Sequence, residues 1–275
     1  MGKRLKIYTL SIILSISLVF SFVAPAFAIQ NGQTDGENHP YVVMCVFDVN
    51  GKPTWRTTGF LISPTVVITA GHGTYGTSGA RVTNSTNIPN APVGGYPGSG
   101  SWAHEAIARY TYPEYLAVPS NGLPGFDAYD IGIVILSQPI NLAKYAELPE
   151  PGLVDKLRKM ASIDLVGYGV NYQNRGKGFL PDDWAWERER YYAPADIVPS
   201  QSVISDMFVK ITANPAKGKG GTTFGDSGGP ILLAGTDIVI ANNSFVNNYN
   251  CNGVTYAQRI DIPDILVWID SFLPD

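Results

Sequence analysis

The rhythm of short apolar runs constrains the fold more than any other feature of this chain. YVVMCVFDV, TGFLIS, TVVITAG, AIARYTY, DIGIVIL, SIDLVGYG, DMFVKIT, PILLAG, DIVIANNSF and VTYAQRI follow one another, with Gly, Pro and Asn in the gaps. Many are rich in β-branched residues and too short for packed helices, so they predict an all-β chain of antiparallel strands folded as a sandwich or barrel. Helical spacing occurs only at the tail. From Asp261 onward, Ile262, Ile265, Leu266, Ile269 and Phe272 recur every three or four residues, with Pro263 where a first helical turn tolerates it. Strands and helices do not alternate, which excludes a parallel α/β architecture. Two polar stretches, Thr74 to Ser101 and Asn171 to Trp184, read as long loops.

The N-terminus carries Lys3, Arg4 and Lys6, an apolar run from Ile7 to Val23, and then Ala26-Phe27-Ala28. This is the layout of a cleavable secretory signal over residues 1–28, with an uncleaved membrane anchor as the competing reading. The remainder is long enough for one large all-β domain or two small ones with a shared core, and one domain is the simplest count. Charged residues make up 15% and the net charge is −4, so neither a nucleic-acid groove nor a polybasic membrane patch is expected. Cys45 and Cys251 are few for an exported protein, and the sequence leaves their pairing open.

Candidate chemistry starts at FGDSGGPILL, where Ser227 lies among glycines that let backbone N–H groups approach a substrate. A serine hydroxyl needs a base to become a nucleophile. Of three histidines, His39 and His104 suit surface roles. His72 ends TVVITAGH, where an apolar run delivers it to a sheet edge. An imidazole base needs an acid to hold its tautomer, and Asp130 opens the apolar run DIGIVIL, with Asp127 as the competitor.

Taken in order, TAGH, YDIGIVIL and GDSGGP resemble the trypsin/chymotrypsin-like serine proteases. HPYVV, GFLIS, VGYG, the SF of ANNSFV and the terminal Trp268-Ile269 fall in that family's order over residues 29–275. The resemblance implies two antiparallel six-stranded β-barrels, about 29–145 and about 155–260, with the active site between them and a C-terminal α-helix at about 261–273. It implies Ser227 as nucleophile, His72 as general base and Asp130 as its orienting acid, with an oxyanion hole from the N–H groups of Gly225 and Ser227. It further implies that a free Ile29 ammonium pairs with Asp226. Signal removal directly before Ile29 would then be the activating cut, although Asn31 departs from the family's usual glycine.

Other departures concern cysteines and the pocket. Gly73 and Thr57 to Gly59 stand where relatives carry one bridge, and Thr223 stands where a partner for Cys251 would be. From Val49 to His104 there is no Asp or Glu, so no calcium is expected there, nor any other metal or cofactor. The resemblance places the primary substrate pocket at Gly221, Thr222, Thr223, Ser244, Phe245, Val246 and Gly253. With no acid at its base, small or medium uncharged residues are expected before the scissile bond. Trp184, Trp186 and the ERER charges read as a substrate-shaping loop or a solvated edge, and Asn84 and Asn242 head sequons.

The expected protein is a secreted monomeric endopeptidase acting on protein or peptide substrates and open to protease inhibitors, without nucleic-acid or stable membrane partners. An inactive homologue that binds through the scaffold, a sugar-binding sandwich and an esterase are the competing readings.

Overall fold

The computed structural model describes residues 29, 31–88, 103–115, 128–174, 183–186, 189–198, 206–246, 251 and 253–274. The signal segment, Asp127, and the side chains of Trp184 and Trp186 lie outside the described residues. Among the described residues, no helix is long and apolar enough to cross a membrane.

Six strands close a first barrel: β2 (Val42–Val49), β3 (Lys52–Leu61), β4 (Val66–Thr69), β5 (Gly79–Thr83), β6 (His104–Thr111) and β7 (Gly132–Leu136), in the order β2-β3-β4-β7-β6-β5. Asn50 and Gly51 join β2 to β3 with φ of 53° and 73°. That pair of positive angles matches the right-handed twist of a hairpin, which is why Asn-Gly is a strong hairpin signal. β2 is buried on both faces because the barrel core takes one side while the second sheet crosses the other; Arg190 Nη1, just before that sheet's strand Tyr191–Asp196, for example, donates to Val42 O at 3.0 Å.

The second barrel is a curled seven-stranded sheet, β1-β11-β8-β13-β14-β15-β12. Its strands are β1 (Gln33–Thr34), β8 (Ser162–Gly167), β11 (Tyr191–Asp196), β12 (Phe208–Thr212), β13 (Pro230–Leu233), β14 (Val239–Val246) and β15 (Val254–Arg259). A bridge between Ile197 and Ile211 brings its two sides together. Its core includes Ile163, Leu165, Ile231 and Ile240, together with Ile29, whose side chain is fully buried among them. The N-terminal segment therefore belongs to the second sheet through β1 and Ile29, although the first barrel follows it in sequence.

Helix α3 (Pro263–Asp270) forms where the tail predicts it. Ile265 and Ile269 are fully buried against the first core, and Trp268 meets Tyr112 edge-on at 5.2 Å. Burying the two isoleucines contributes about 1.5–3 kcal/mol each. Two one-turn helices, α1 (Gly71–Thr74) and α2 (Leu153–Lys156), leave no readable periodicity in four residues.

Both long loops contain structure that the sequence reading did not foresee. β5 lies inside the stretch from Thr74 to Ser101, and β9 (Val170–Asn174) pairs with β10 (Asp183–Trp186) across the stretch from Asn171 to Trp184. Such short strands form because partners complete their hydrogen bonds; β5 has β2 on one side and β6 on the other. The cysteine question is also answered. Cys45 and Cys251 do not form a disulfide; both are buried, Cys45 within the first core, and burial pushes each thiol up to about 12.

Candidate active site

His72 sits on α1, directly after β4. Its Nδ1 lies 2.9 Å from Asp130 Oδ2, while its backbone N–H donates to Asp130 Oδ1 at 2.8 Å. The same carboxylate thus holds both the ring and the backbone of His72, which fixes Nδ1 as the protonated nitrogen. The Asp130 side chain is wholly buried, whereas that of His72 is 32% exposed.

The second sheet completes the setting of Asp130. Ser244 Oγ donates to Asp130 Oδ2 at 2.6 Å, Asn242 Nδ2 donates to Asp130 O at 3.0 Å, and Asp130 N–H donates to Gln258 Oε1 at 3.3 Å. Burial pushes the carboxyl upward, but the neighbouring imidazole and the bonds from His72 and Ser244 outweigh it and hold Asp130 below the usual carboxylate range.

Ser227 lies on a tight turn between Asp226 and Gly228. Thr58 N–H donates to Ser227 O at 2.9 Å, Thr58 Oγ1 donates to Gly225 O at 2.9 Å, and Gly228 N–H donates to Asn243 O at 2.6 Å. β3 of the first barrel and β14 of the second therefore clamp this turn from two sides. Gly228 has φ of 77°, and a Cβ there would overlap the Ala70 amide nitrogen, so only glycine fits.

Phe224 O accepts from Val170 N–H at 2.7 Å. In a planar trans peptide the following N–H points the opposite way, so this bond directs the Gly225 N–H away from β9. Asp226 is fully buried, with Oδ1 accepting from Gly169 N–H at 2.8 Å and Oδ2 from Thr223 N–H at 2.8 Å and Thr223 Oγ1 at 3.0 Å. Burial nevertheless raises its carboxyl to about 7 against those bonds and the nearby Arg56 charge. In the full-length sequence the Ile29 nitrogen is acylated by Ala28, so it carries no ammonium.

His72 and Ser227 face one open cavity of about 320 Å³, lined also by Thr222, Thr223, Phe224, Asn243, Ser244, Phe245 and Val246. Of the residues expected around the substrate, Gly221 and Gly253 do not line it. Phe224 and Asn243, which the sequence reading missed, do. Asn243 immediately precedes the SF segment, and its neighbours on β14 both reach Asp130, so strand alternation was the available signal.

A family profile described as Trypsin matches residues 29–269. The chain belongs to the trypsin family. This family member resembles solved structures at low identity. A structure titled HL collagenase aligns with a TM-score of 0.63 and 13% identity, covering 92% of this chain and 100% of its own. Human heparin binding protein aligns at 0.61 and 17%, covering 89% of this chain and 97% of its own. At such identity these likenesses show the fold alone. No curated protein sequence matches this trypsin-family chain significantly.

Two further expectations meet corrections. His39 is not a plain surface residue: its Nδ1 lies 2.6 Å from Asp35 Oδ1, and its ring stacks on Tyr192 at 5.7 Å. Asn242 is fully buried, so its sequon is out of reach of any glycosylating enzyme in the folded state.

Proposed function

We propose that this trypsin-family chain is a secreted serine endopeptidase with Ser227, His72 and Asp130 as its catalytic triad. The observation that carries the proposal is the buried Asp130 carboxylate bonded to His72 Nδ1, with Ser227 facing the same cavity as the imidazole.

His72 Nε2 takes the Ser227 hydroxyl proton as Oγ bonds to the substrate carbonyl carbon. Asp130 stabilises the imidazolium without itself taking the proton. The carbonyl oxygen becomes an oxyanion received by the N–H groups of Gly225 and Ser227, each worth about 3 kcal/mol in the barrier. The C–N bond then breaks, the leaving amine takes the proton from His72, and an acyl group remains on Ser227. Water repeats the sequence and releases the acid.

Removal of residues 1–28 exposes the Ile29 ammonium, which pairs with Asp226 and steadies the turn from Gly225 to Ser227. Support comes from the fully buried Ile29 side chain in the second core and from the raised Asp226 carboxyl, an acid poised for a cation. No Lys, Arg, Asp or Glu is among the described residues lining the cavity, which favours uncharged residues before the scissile bond.

Labelling with a fluorophosphonate tests the reading. The secreted chain should label and hydrolyse peptide esters, and Ser227→Ala should do neither. An unlabelled, correctly folded wild-type protein would instead support a scaffold that only binds.

A further inference from the structure

Asn243 lines the cavity beside Ser227 and takes no part in the hydrolytic chemistry. On β14, Asn242 and Ser244 both turn toward Asp130. Successive strand residues face opposite ways, and Asn243, between those two, lines the cavity. Its backbone is pinned to the nucleophile turn on both sides, Gly228 N–H donating to Asn243 O at 2.6 Å and Asn243 N–H to Gly229 O at 2.9 Å.

Asn243 is 2% exposed, yet among the described residues neither its Nδ2 nor its Oδ1 has a hydrogen-bond partner. The nearby hydroxyls are engaged elsewhere. Thr222 Oγ1 pairs with Thr255 Oγ1 at 2.7 Å, Thr223 Oγ1 lies 3.0 Å from both Val170 O and Asp226 Oδ2, and Ser244 Oγ serves Asp130. A buried amide with donor and acceptor both unmet is costly and uncommon, and its place in a substrate cavity points to completion by the substrate.

We propose that Asn243 determines specificity by receiving a carboxamide, so that the enzyme cleaves after Gln or Asn. This rests on the endopeptidase reading above. A primary amide offers a carbonyl acceptor and N–H donors, and so does Asn243. Two such groups pair head to tail, with Nδ2–H donating to the substrate oxygen and Oδ1 accepting from the substrate N–H.

Other side chains leave half of Asn243 unmet or worse. A Glu carboxylate could accept from Nδ2 but would set its second oxygen against Oδ1, with no cation among the described lining residues to offset its charge. A Lys ammonium could donate to Oδ1 but would find no acid there. Leu or Met would bury both polar atoms unpaired. Phe245, stacked on Tyr256 at 4.9 Å, and Val246 offer apolar walls for the methylenes of a Gln side chain.

The test uses the secreted chain starting at Ile29, its active sites counted by fluorophosphonate, on peptide anilides that differ only at the residue before the scissile bond: Gln, Asn, Glu, Met, Leu and Lys. The better of Gln and Asn should exceed Met in kcat/KM by roughly tenfold or more, because a site built for a polar group rejects the analogue lacking it. Asn243→Leu should reverse the Gln-to-Leu ratio. Asn243→Asp, which keeps the shape but removes the donor, should lower the Gln-to-Met ratio by a similar factor and serves where the leucine variant fails to fold.

Preference for Met, Leu, Glu or Lys in the wild type, or an unchanged ratio in a folded variant, overturns the carboxamide assignment and leaves the endopeptidase reading standing. Absence of both labelling and cleavage of every anilide removes that reading, and the assignment with it.

Discussion

Arg190 Nε donates to Asp35 Oδ2 at 2.7 Å, and neither side chain retains any exposed surface. Arg190 also donates to Val42 O at 3.0 Å and Gly36 O at 2.7 Å, so one guanidinium ties the N-terminal segment, the first barrel and the second sheet together. Arg190→Met should destabilise the protein by about 3–5 kcal/mol, because Asp35 would be left as a buried charge without its cation. Asp35→Leu with Arg190→Met should recover most of that loss, since neither charge is then stranded. Urea unfolding of the two variants checks both statements.

The same pair carries a pH dependence. Burial pushes the Asp35 carboxyl up, but the His39 hydrogen bond and the Arg190 charge outweigh it, leaving Asp35 below the usual carboxylate range. A group depressed on folding stabilises above its unfolded value, near pH ~4, and that stability is lost as pH falls through the lower folded value. Melting temperature should therefore drop in acid, and Arg190→Met should flatten the drop.

Asp130 holds His72 by ring and backbone together. Asp130→Asn keeps the shape but can set the wrong imidazole tautomer, so kcat should fall by about four orders of magnitude with little change in melting temperature. Ser244→Ala removes only the 2.6 Å bond to Asp130 Oδ2 and should cost far less, about tenfold. Equal losses in the two variants would show that Ser244 does more than steady the acid.

Both thiols sit near pKa 12, so at pH 8 only about one in ten thousand is the reactive thiolate. Native protein should resist iodoacetamide over hours. Denatured protein should take up two equivalents, one each at Cys45 and Cys251. Reducing agents should leave activity unchanged, whereas a disulfide would make it fall.

Legibility of the sequence followed the range of the interactions. The strand rhythm, the terminal helix and the residues His72, Asp130 and Ser227 each sit in a contiguous motif whose local pattern carries the signal. Arg190 was hidden inside ERER, which reads as a charged edge. It is buried because Asp35, 155 positions away, supplies its counter-charge. β5 and the β9–β10 hairpin were hidden because pairing partners, not their own composition, make them strands. Asn243 was hidden in a run of polar residues, and only the fold shows that Asn242 faces the acid while Asn243 faces the cavity.

Asp226 provides the sharpest test of maturation at Ile29. With Ile29 still acylated, burial lifts the Asp226 carboxyl to about 7 despite bonds from Thr223 and Gly169. A folded value above the unfolded one, ~3.9, means that the native state binds the extra proton. The Asp226 contribution to the stability of the uncut chain should therefore be greatest below about pH 4 and decline, by several kcal/mol at most, as pH rises toward 7. A free Ile29 ammonium favours the carboxylate and should cancel that decline until the amine itself deprotonates, above its reference value near ~8. Melting temperatures from pH 4 to 9 should thus diverge between a chain starting at Ile29 and one carrying Ala28 before it, the gap opening between about pH 4 and 7 in favour of the former. Parallel curves, together with equal fluorophosphonate labelling rates, would refute the ion pair.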